Sequence, residues 1–231
     1  DPGRLVGTVY AANTLGAIIG AVVASLLMIA WLGTQQAQRV MIAIAAISAC
    51  VMLVPFASDS NSVRFTPRSA VHAMLALVLA GLSVWSVAKI PDILVAYGRY
   101  AVTWMNQPRE YLFVGEGRNS SMAVSRQPDG VLNYHNAGKV QASSEPQDMR
   151  LQRMLGHLTT LVPKQAKKVV VIGCGAGVTA GAVSIDPAVE HQTIAEIEPL
   201  VPRVVSKYFA EHNFSVVTNP KVHVQFDDAR H

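Results

Sequence analysis

The sequence predicts an α-helical region, then a small antiparallel β-domain, then an α/β domain with a parallel sheet. Three observations lead to this fold class. The chain of 231 residues is 51% hydrophobic and 15% charged, and the apolar excess lies almost wholly in its first hundred residues. From Glu110 onward apolar and polar residues alternate, as in half-buried strands. From Val169 a branched apolar run leads into three closely spaced glycines, which is typical of a buried strand, a turn and a helix start.

Residues 1–90 are predicted to be a membrane region with three transmembrane helices. The apolar runs are Val6–Leu32, Val40–Phe56 and Ala70–Ile90, and the polar segments between them, Gly33–Arg39 and Ala57–Arg68, are predicted to be loops. At about 1.5 Å per helical residue, such runs approach or exceed the roughly 30 Å of a hydrocarbon core. Arginines and lysines flank the runs equally on both sides, so the positive-inside rule gives no orientation.

Residues 91–109 are predicted to be a linker that lies along the membrane interface, because the segment contains Tyr97, Tyr100 and Trp104. Short alternating runs separated by Gly, Asn and Asp turns predict the small β-domain over residues 110–145. Residues 146–231 begin with a helix whose apolar stripe we expect to lie in the core. The stripe comprises Met149, Leu151, Met154, Leu155 and Leu158.

The segment Lys168–Thr179 predicts the first strand, turn and helix of a Rossmann-like domain. Gly173, Gly175 and Gly177 allow sharp turns and a close approach to a ligand. Their spacing is G-x-G-x-G, and Val178 occupies the place of the third glycine of the dinucleotide fingerprint. The loop therefore favours an adenosyl ligand without a pyrophosphate over NAD.

An acidic residue follows the glycine loop at the spacing expected of a ribose-binding group. Thr193–Glu198 reads as a second strand ending in acids, and Glu196 can accept both ribose hydroxyls. Lys221–Phe226 reads as a third strand that ends at Asp228. Since right-handed crossovers bring the carboxyl ends of parallel strands to one edge, we expect the loop, Glu196 and Asp228 in one crevice. A surface acid beside an ordinary strand–turn–helix corner is the alternative.

Composition argues against several other classes of function. Net charge is +4, but the basic residues are scattered and aromatic residues are 6%, so nucleic-acid binding is not expected. Cys50 and Cys174 offer neither a disulfide framework nor metal-ligand spacing. The sequence begins at Asp1 and stops at His231 after a strand-like segment, and we interpret it as a truncated fragment of a longer protein.

Several short motifs follow one another between Gly115 and Arg230: Gly115–Arg118, Gly138–Gln141, Met154–His157, the glycine loop, Ala195–Pro199 and Asp228–Arg230. In this order they resemble the spermidine synthase (polyamine aminopropyltransferase) family. The first apolar run resembles the membrane part of bacterial proteins that fuse a helical region to a spermidine-synthase-like domain. The resemblance implies a domain of the S-adenosylmethionine-dependent methyltransferase-like type.

The resemblance also implies a reaction and roles for single residues. Decarboxylated S-adenosylmethionine would be the aminopropyl donor, a cosubstrate rather than a tightly bound cofactor, and a polyamine such as putrescine the acceptor. Glu196 would hold the ribose hydroxyls, Asp228 would receive the adenine amino group beside Ala229, and Gln141 would contact the donor. Since adenosyl cosubstrates are made in the cytoplasm, we expect a multi-pass cell-membrane protein with a cytoplasmic catalytic domain. The lipid bilayer is then a further partner, and a homodimer stays open.

The chain departs from the family pattern at three positions and lacks one segment. The synthases usually carry an aspartate where Ala176 lies, and a tyrosine and a histidine where Leu151 and Gln152 lie. The catalytic aspartate is expected beyond His231, so no catalytic residue is assigned. Two alternatives therefore stay open: a methyltransferase that uses intact S-adenosylmethionine, and a transporter or sensor with a non-catalytic domain that binds a nucleoside or polyamine.

Overall fold

The computed structural model describes residues 2–53 and 67–230. The chain divides into two compact units, Asp1–Ile90 and Pro91–His231. The helices of the first unit are α1 (Pro2–Val23), a π-helical turn (Ala24–Met28), α2 (Ile29–Leu53) and α3 (Pro67–Ser86). The expected end of the second apolar run, at Phe56, and most of the expected loop after it lie outside the described residues.

The helical unit is apolar and exposed along its length. Within the described residues, one helical run, Pro2–Met52, is long and apolar enough to cross a membrane by length and composition, with a mean hydropathy of 2.4 in its scored window. Val71–Ser86 is a shorter apolar helix. The three separate transmembrane helices, and the multi-pass arrangement built on them, remain predictions.

The expected polar loop at Gly33–Arg39 is shorter than predicted. Gly33 is non-helical, with φ 74° and ψ 165°, and the helix resumes immediately after it. The side chains of Gln35 and Arg39 donate to the carbonyl oxygen of Val87, at 3.0 and 3.3 Å. Gln and Arg are good helix formers, and here they satisfy a carbonyl just beyond the end of α3.

The second unit begins with two short helices that pack on an antiparallel sheet. Helices α4 (Asp92–Tyr97) and α5 (Ala101–Trp104) lead into a sheet of order β1-β2-β3-β4. Tyr97 is buried in a cluster with Ala101 of α5 and Ala123 of the sheet. The strands are β1 (Glu110–Glu116), β2 (Ser121–Arg126), β3 (Leu132–Asn136) and β4 (Lys139–Ser143). The segment expected to lie along the membrane therefore contributes part of its face to this sheet's core.

The remainder of the unit is an α/β layer with a three-stranded parallel sheet of order β5-β6-β7. Its elements are α6 (Pro146–Leu161), β5 (Lys168–Ile172), α7 (Val178–Ser184), β6 (His191–Ala195), α8 (Leu200–Tyr208) and β7 (Val222–Gln225). One apolar cluster joins residues of both sheets with α6, α7 and α8. The two sheets of this unit therefore share a core.

The prediction that the whole apolar stripe of helix α6 lies in the core is wrong. Met149 is buried at 7% exposure, and Gly156 packs so closely on α7 that an added Cβ would lie 2.5 Å from the Thr179 carbonyl oxygen. The other members of the stripe are about half exposed: Leu151, Met154, Leu155 and Leu158. The small residue rather than the leucines sets the packed face, because it allows the two helices to approach.

Candidate functional site

The glycine loop has the backbone geometry that its sequence predicts. Gly173, Gly175 and Gly177 have φ values of 82°, 52° and 81°, in the left-handed region that L side chains rarely adopt. The N–H of Gly177 donates to the Cys174 carbonyl at 2.8 Å, which closes the turn before α7. The strand–turn–helix prediction is confirmed here, whereas contact of the loop with a ligand stays a prediction.

Parallel register brings the three predicted strand ends to one edge of the sheet. Ile172 of β5 pairs with Ala195 of β6, and Ala195 pairs with Gln225 of β7. The backbone continues this register, because the N–H of Glu196 donates to the Gln225 carbonyl at 2.9 Å. The glycine loop, Glu196 and the turn that contains Asp228 therefore all leave the sheet at its carboxyl edge.

Glu196 links the glycine loop to the chain that follows β6. Its side chain is 7% exposed. One carboxylate oxygen accepts the N–H of Cys174 at 2.8 Å, and the other accepts the N–H of Glu198 at 2.9 Å. A carboxylate offers about four lone-pair positions. Two of these positions are used by the backbone, and the binding of ribose hydroxyls at the others stays a prediction.

Cys174, beside this carboxylate, is held as a neutral thiol. The thiol is buried at 6% exposure. Burial, and then the negative charge of Glu196, raise the pKa of Cys174 to about 12. Since the thiolate is the reactive form of cysteine, this residue acts through its backbone N–H.

Asp228 is held by a neighbour on its own turn. The guanidinium of Arg230 forms an ion pair with it, and Arg230 Nε lies 3.0 Å from both carboxylate oxygens. Hydrogen bonds from the side chain and the backbone of Arg230 lower the pKa of Asp228. Ala229 between them is exposed. An adenine amino group at Asp228 would have to share this carboxylate with Arg230.

Gln141 lies at an irregularity of the antiparallel sheet. The register of β3 and β4 passes from Tyr134 opposite Ala142 to His135 opposite Val140, which leaves Gln141 as the extra residue of a bulge. Bulges turn a side chain away from the regular alternation. Gln141 is exposed, and its contact with a donor stays a prediction.

Tyr134 is a residue of this region that the sequence did not single out. Its side chain is 1% exposed and belongs to the apolar cluster that contains Cys174 and Ala176. Burial first, and then the charge of Glu196, raise the pKa of Tyr134 well above its usual range. Tyr134 therefore brings the β-domain against the glycine loop, and its ordinary place in an alternating strand gave no sign of this.

Asn213 supports the glycine loop from the segment after α8. It is fully buried, and its Nδ2 donates to the Ala176 carbonyl at 3.1 Å. A Cβ on Gly177 would lie 2.8 Å from the same Nδ2. An isolated asparagine carries no motif, so only the folded structure assigns it this supporting role.

The positions that depart from the family pattern have structural roles of their own. Ala176 is 3% exposed and packs in the shared core. Gln152 donates to the carbonyl oxygens of Ser143 and Asp148, at 3.3 and 3.2 Å, and so ties α6 to β4. Leu151 is 52% exposed. None of these three side chains is a carboxylate or an imidazole that could hold an ammonium group.

Comparison with known proteins finds sequence similarity in the part of the chain that contains the parallel sheet and the glycine loop. Residues 148–231 match the family model of the spermine/spermidine synthase domain. A polyamine aminopropyltransferase of Serratia proteamaculans (strain 568) is 33% identical over 86 residues, which are 37% of this chain and 30% of that protein. Residues 148–231 are therefore similar in sequence to the spermine/spermidine synthase domain and to a polyamine aminopropyltransferase. The chain spans less than a third of the length of this relative.

Solved structures of spermidine synthases also resemble the chain. The enzyme of Thermotoga maritima has a TM-score of 0.47 and 21% identity, over 51% of this chain and 41% of that chain. A spermidine synthase in complex with the transition-state analogue AdoDATO gives the same four values. Neither similarity is close enough to identify a substrate of this chain.

Proposed function

We propose that the chain contains the donor-binding part of a spermidine synthase-like aminopropyltransferase, anchored to a membrane by its apolar N-terminal helix. Decarboxylated S-adenosylmethionine is the proposed cosubstrate, and a polyamine such as putrescine is the proposed acceptor. The family match over residues 148–231 supports the reaction class. The long apolar helix supports an anchor, and the bilayer is then a partner.

The observation that carries the proposal is the setting of Glu196. Its carboxylate is fixed by two backbone N–H groups, one from the glycine loop and one from the chain after β6. A carboxylate held this way does not need to reorganise when it accepts the two hydroxyls of a ribose. The positive φ angles of the loop allow the adenosyl group to approach the backbone closely.

In the proposed reaction, the main task of the protein is to position the donor and the acceptor, because the sulfonium is already a good leaving group. The nitrogen of a neutral amine attacks the aminopropyl carbon beside the sulfonium, the new C–N bond forms and the C–S bond breaks. The electron pair of that bond goes to sulfur, which leaves as a neutral thioether, and the amine loses a proton to a base. Holding the ribose at Glu196 fixes the sulfonium relative to the acceptor.

One observation weakens the first candidate and keeps open a second, a methyltransferase that uses intact S-adenosylmethionine. Ala176 occupies the position where the synthases usually carry an aspartate, and its side chain is buried at 3% exposure. The loop therefore offers no carboxylate at this position for the ammonium group of a decarboxylated donor. The two candidates share the adenosyl site. Their cosubstrates differ at the end of the ligand that carries the ammonium group, where only intact S-adenosylmethionine has a carboxylate.

Replacing Glu196 tests the adenosyl site. We expect Glu196→Ala to weaken binding of decarboxylated S-adenosylmethionine at least about 100-fold, because two hydrogen bonds to a charged group contribute roughly 1.5–3 kcal/mol each. Titration calorimetry of the intact protein in detergent measures the affinity, and circular dichroism checks the fold. Glu211→Gln is the control, because Glu211 is exposed. Unchanged affinity of a folded Glu196→Ala protein would remove Glu196 from the site and contradict the proposal.

A further inference from the structure

We propose that Glu198 is a positioning residue, which sets the Glu196 carboxylate for the ribose and couples it to the β-domain. This inference rests on the proposed adenosyl site and assigns a role to a second acid of the same strand end. Glu198 is 3% exposed. A buried carboxylate is costly unless hydrogen-bond donors surround it, so its donors indicate what it holds in place.

The first set of contacts ties Glu198 to the turn between β1 and β2. One carboxylate oxygen accepts the N–H of Asn119 at 2.7 Å. The Asn119 side chain returns a hydrogen bond to the Ile197 carbonyl at 2.8 Å. Any Cβ on Gly117 would lie 2.5 Å or less from the carboxylate atoms of Glu198. The turn is therefore shaped around this carboxylate, and it accepts only glycine at position 117 without a shift.

The second set of contacts ties Glu198 to Glu196 and to the start of α8. Its other carboxylate oxygen accepts the N–H of Leu200 at 3.1 Å. Its own N–H donates to Glu196 at 2.9 Å. Because Glu196 in turn accepts the N–H of Cys174 at 2.8 Å, one chain of hydrogen bonds runs from the β1–β2 turn to the glycine loop. A shift of Glu198 is transmitted to the carboxylate that faces the ribose.

Glu198→Gln tests this coupling with little change of shape. The amide replaces one acceptor oxygen by an NH2 group, so a donor would face the N–H of either Asn119 or Leu200. The segment from Glu196 to Glu198 must then move or leave a buried N–H unpaired. If Glu198 acts through Glu196, the loss appears in recognition of the ribose hydroxyls and not in adenine binding.

The experiment compares adenosine with 2′,3′-dideoxyadenosine on the intact protein in detergent. We expect the unchanged protein to prefer adenosine, and Glu198→Gln to lose at least about tenfold of that preference, equivalent to about 1.4 kcal/mol. Glu211→Gln, at an exposed acid, should keep the preference. A purely structural role of Glu198 would weaken both ligands equally, or neither, and that outcome overturns the inference.

Two further results separate the possible failures. If the unchanged protein does not prefer adenosine, the ribose role of Glu196 is wrong, and the proposed function fails with it. If Glu198→Gln does not fold, Gly117→Ala replaces it, because the added methyl displaces the carboxylate without removing its charge. A folded Gly117→Ala protein must show the same loss of preference, and full retention overturns the inference.

Discussion

At the scale of single residues, the glycine loop contains two glycines with nearly equal φ angles and different surroundings. Gly173 and Gly177 have φ angles of 82° and 81°. An added Cβ at Gly173 would meet nothing within 4 Å, whereas at Gly177 it would lie 2.8 Å from Asn213 Nδ2 and 3.2 Å from Val216 Cγ1. The pair separates the cost of the left-handed backbone from the cost of crowding.

We expect Gly173→Ala to lower the free energy of unfolding by about 1–2 kcal/mol, the cost of the left-handed conformation. Gly177→Ala should cost at least about 1 kcal/mol more, because the methyl crowds the buried amide that supports the loop. Chemical denaturation of both variants in detergent measures the difference. Equal losses would contradict the packing of Asn213 beneath the loop.

The site could be predicted only where a residue belongs to a local motif. The spacing of glycines and acids predicted the loop geometry and the strand-end position of Glu196, because both depend on neighbours in the sequence. Tyr134 and Asn213 reach the loop from distant segments, as the hydrogen bond from Asn213 to Ala176 illustrates. Such contacts depend on how two sheets and a connecting segment pack, which no short pattern encodes.

At the scale of elements, a buried histidine joins helix α4 to the antiparallel sheet. His135 of β3 is fully buried. One ring nitrogen lies 2.8 Å from Ser125 Oγ, and the other lies 3.0 Å from the Ala96 carbonyl oxygen. The pKa of His135 is lowered to about 4. Burial is the main cause and the positive charge of Arg109 lowers the pKa further, whereas the hydrogen bond to the Ala96 carbonyl raises it. The histidine is therefore neutral in the folded protein near pH 7.

This histidine makes the β-domain sensitive to acid. Since the ordinary pKa is 6.5 and the folded one about 4, the unfolded state binds more protons between these values. The contribution of His135 to stability is complete above pH 6.5 and falls as the pH falls towards 4. Between pH 7 and pH 5 we expect a loss of roughly 2 kcal/mol from this residue.

Amide hydrogen exchange in β3 at pH 7 and pH 5 measures the opening free energy locally. His135→Gln should lose most of the pH dependence, whatever its effect at a single pH. His191→Gln, at an exposed histidine of β6, should keep the dependence. The same pH dependence in all three proteins would show that His135 does not titrate as its burial requires.

Periodicity predicts the strands well and the buried face of a helix poorly. Within the described residues, the antiparallel strands lie inside the predicted range 110–145 and the parallel strands lie close to their predicted positions, because alternation and turn residues are local signals. The buried face of α6 was misjudged, since an apolar stripe does not say which side a neighbouring helix approaches. The helix that resumes after Gly33 was read as a loop because its residues are polar.

At the scale of the whole molecule, the chain combines an apolar helical unit with a second unit whose residues 148–231 are similar to the spermine/spermidine synthase domain. Composition predicted this division, because the apolar excess is concentrated before residue 100. The two candidate cosubstrates differ in the carboxylate that only intact S-adenosylmethionine carries. Ala176, where the synthases usually carry an aspartate, does not decide between them, because both compounds carry the ammonium group that such an acid would bind.

The most direct measurement is a calorimetric titration of the intact protein with decarboxylated and with intact S-adenosylmethionine under identical conditions. The proposed aminopropyl transfer predicts a clear preference for the decarboxylated compound, because the added carboxylate has no place in an aminopropyl donor site. Preference for the intact compound would contradict the account and favour methyl transfer. Binding of neither compound would contradict the adenosyl site itself and favour a transporter or sensor.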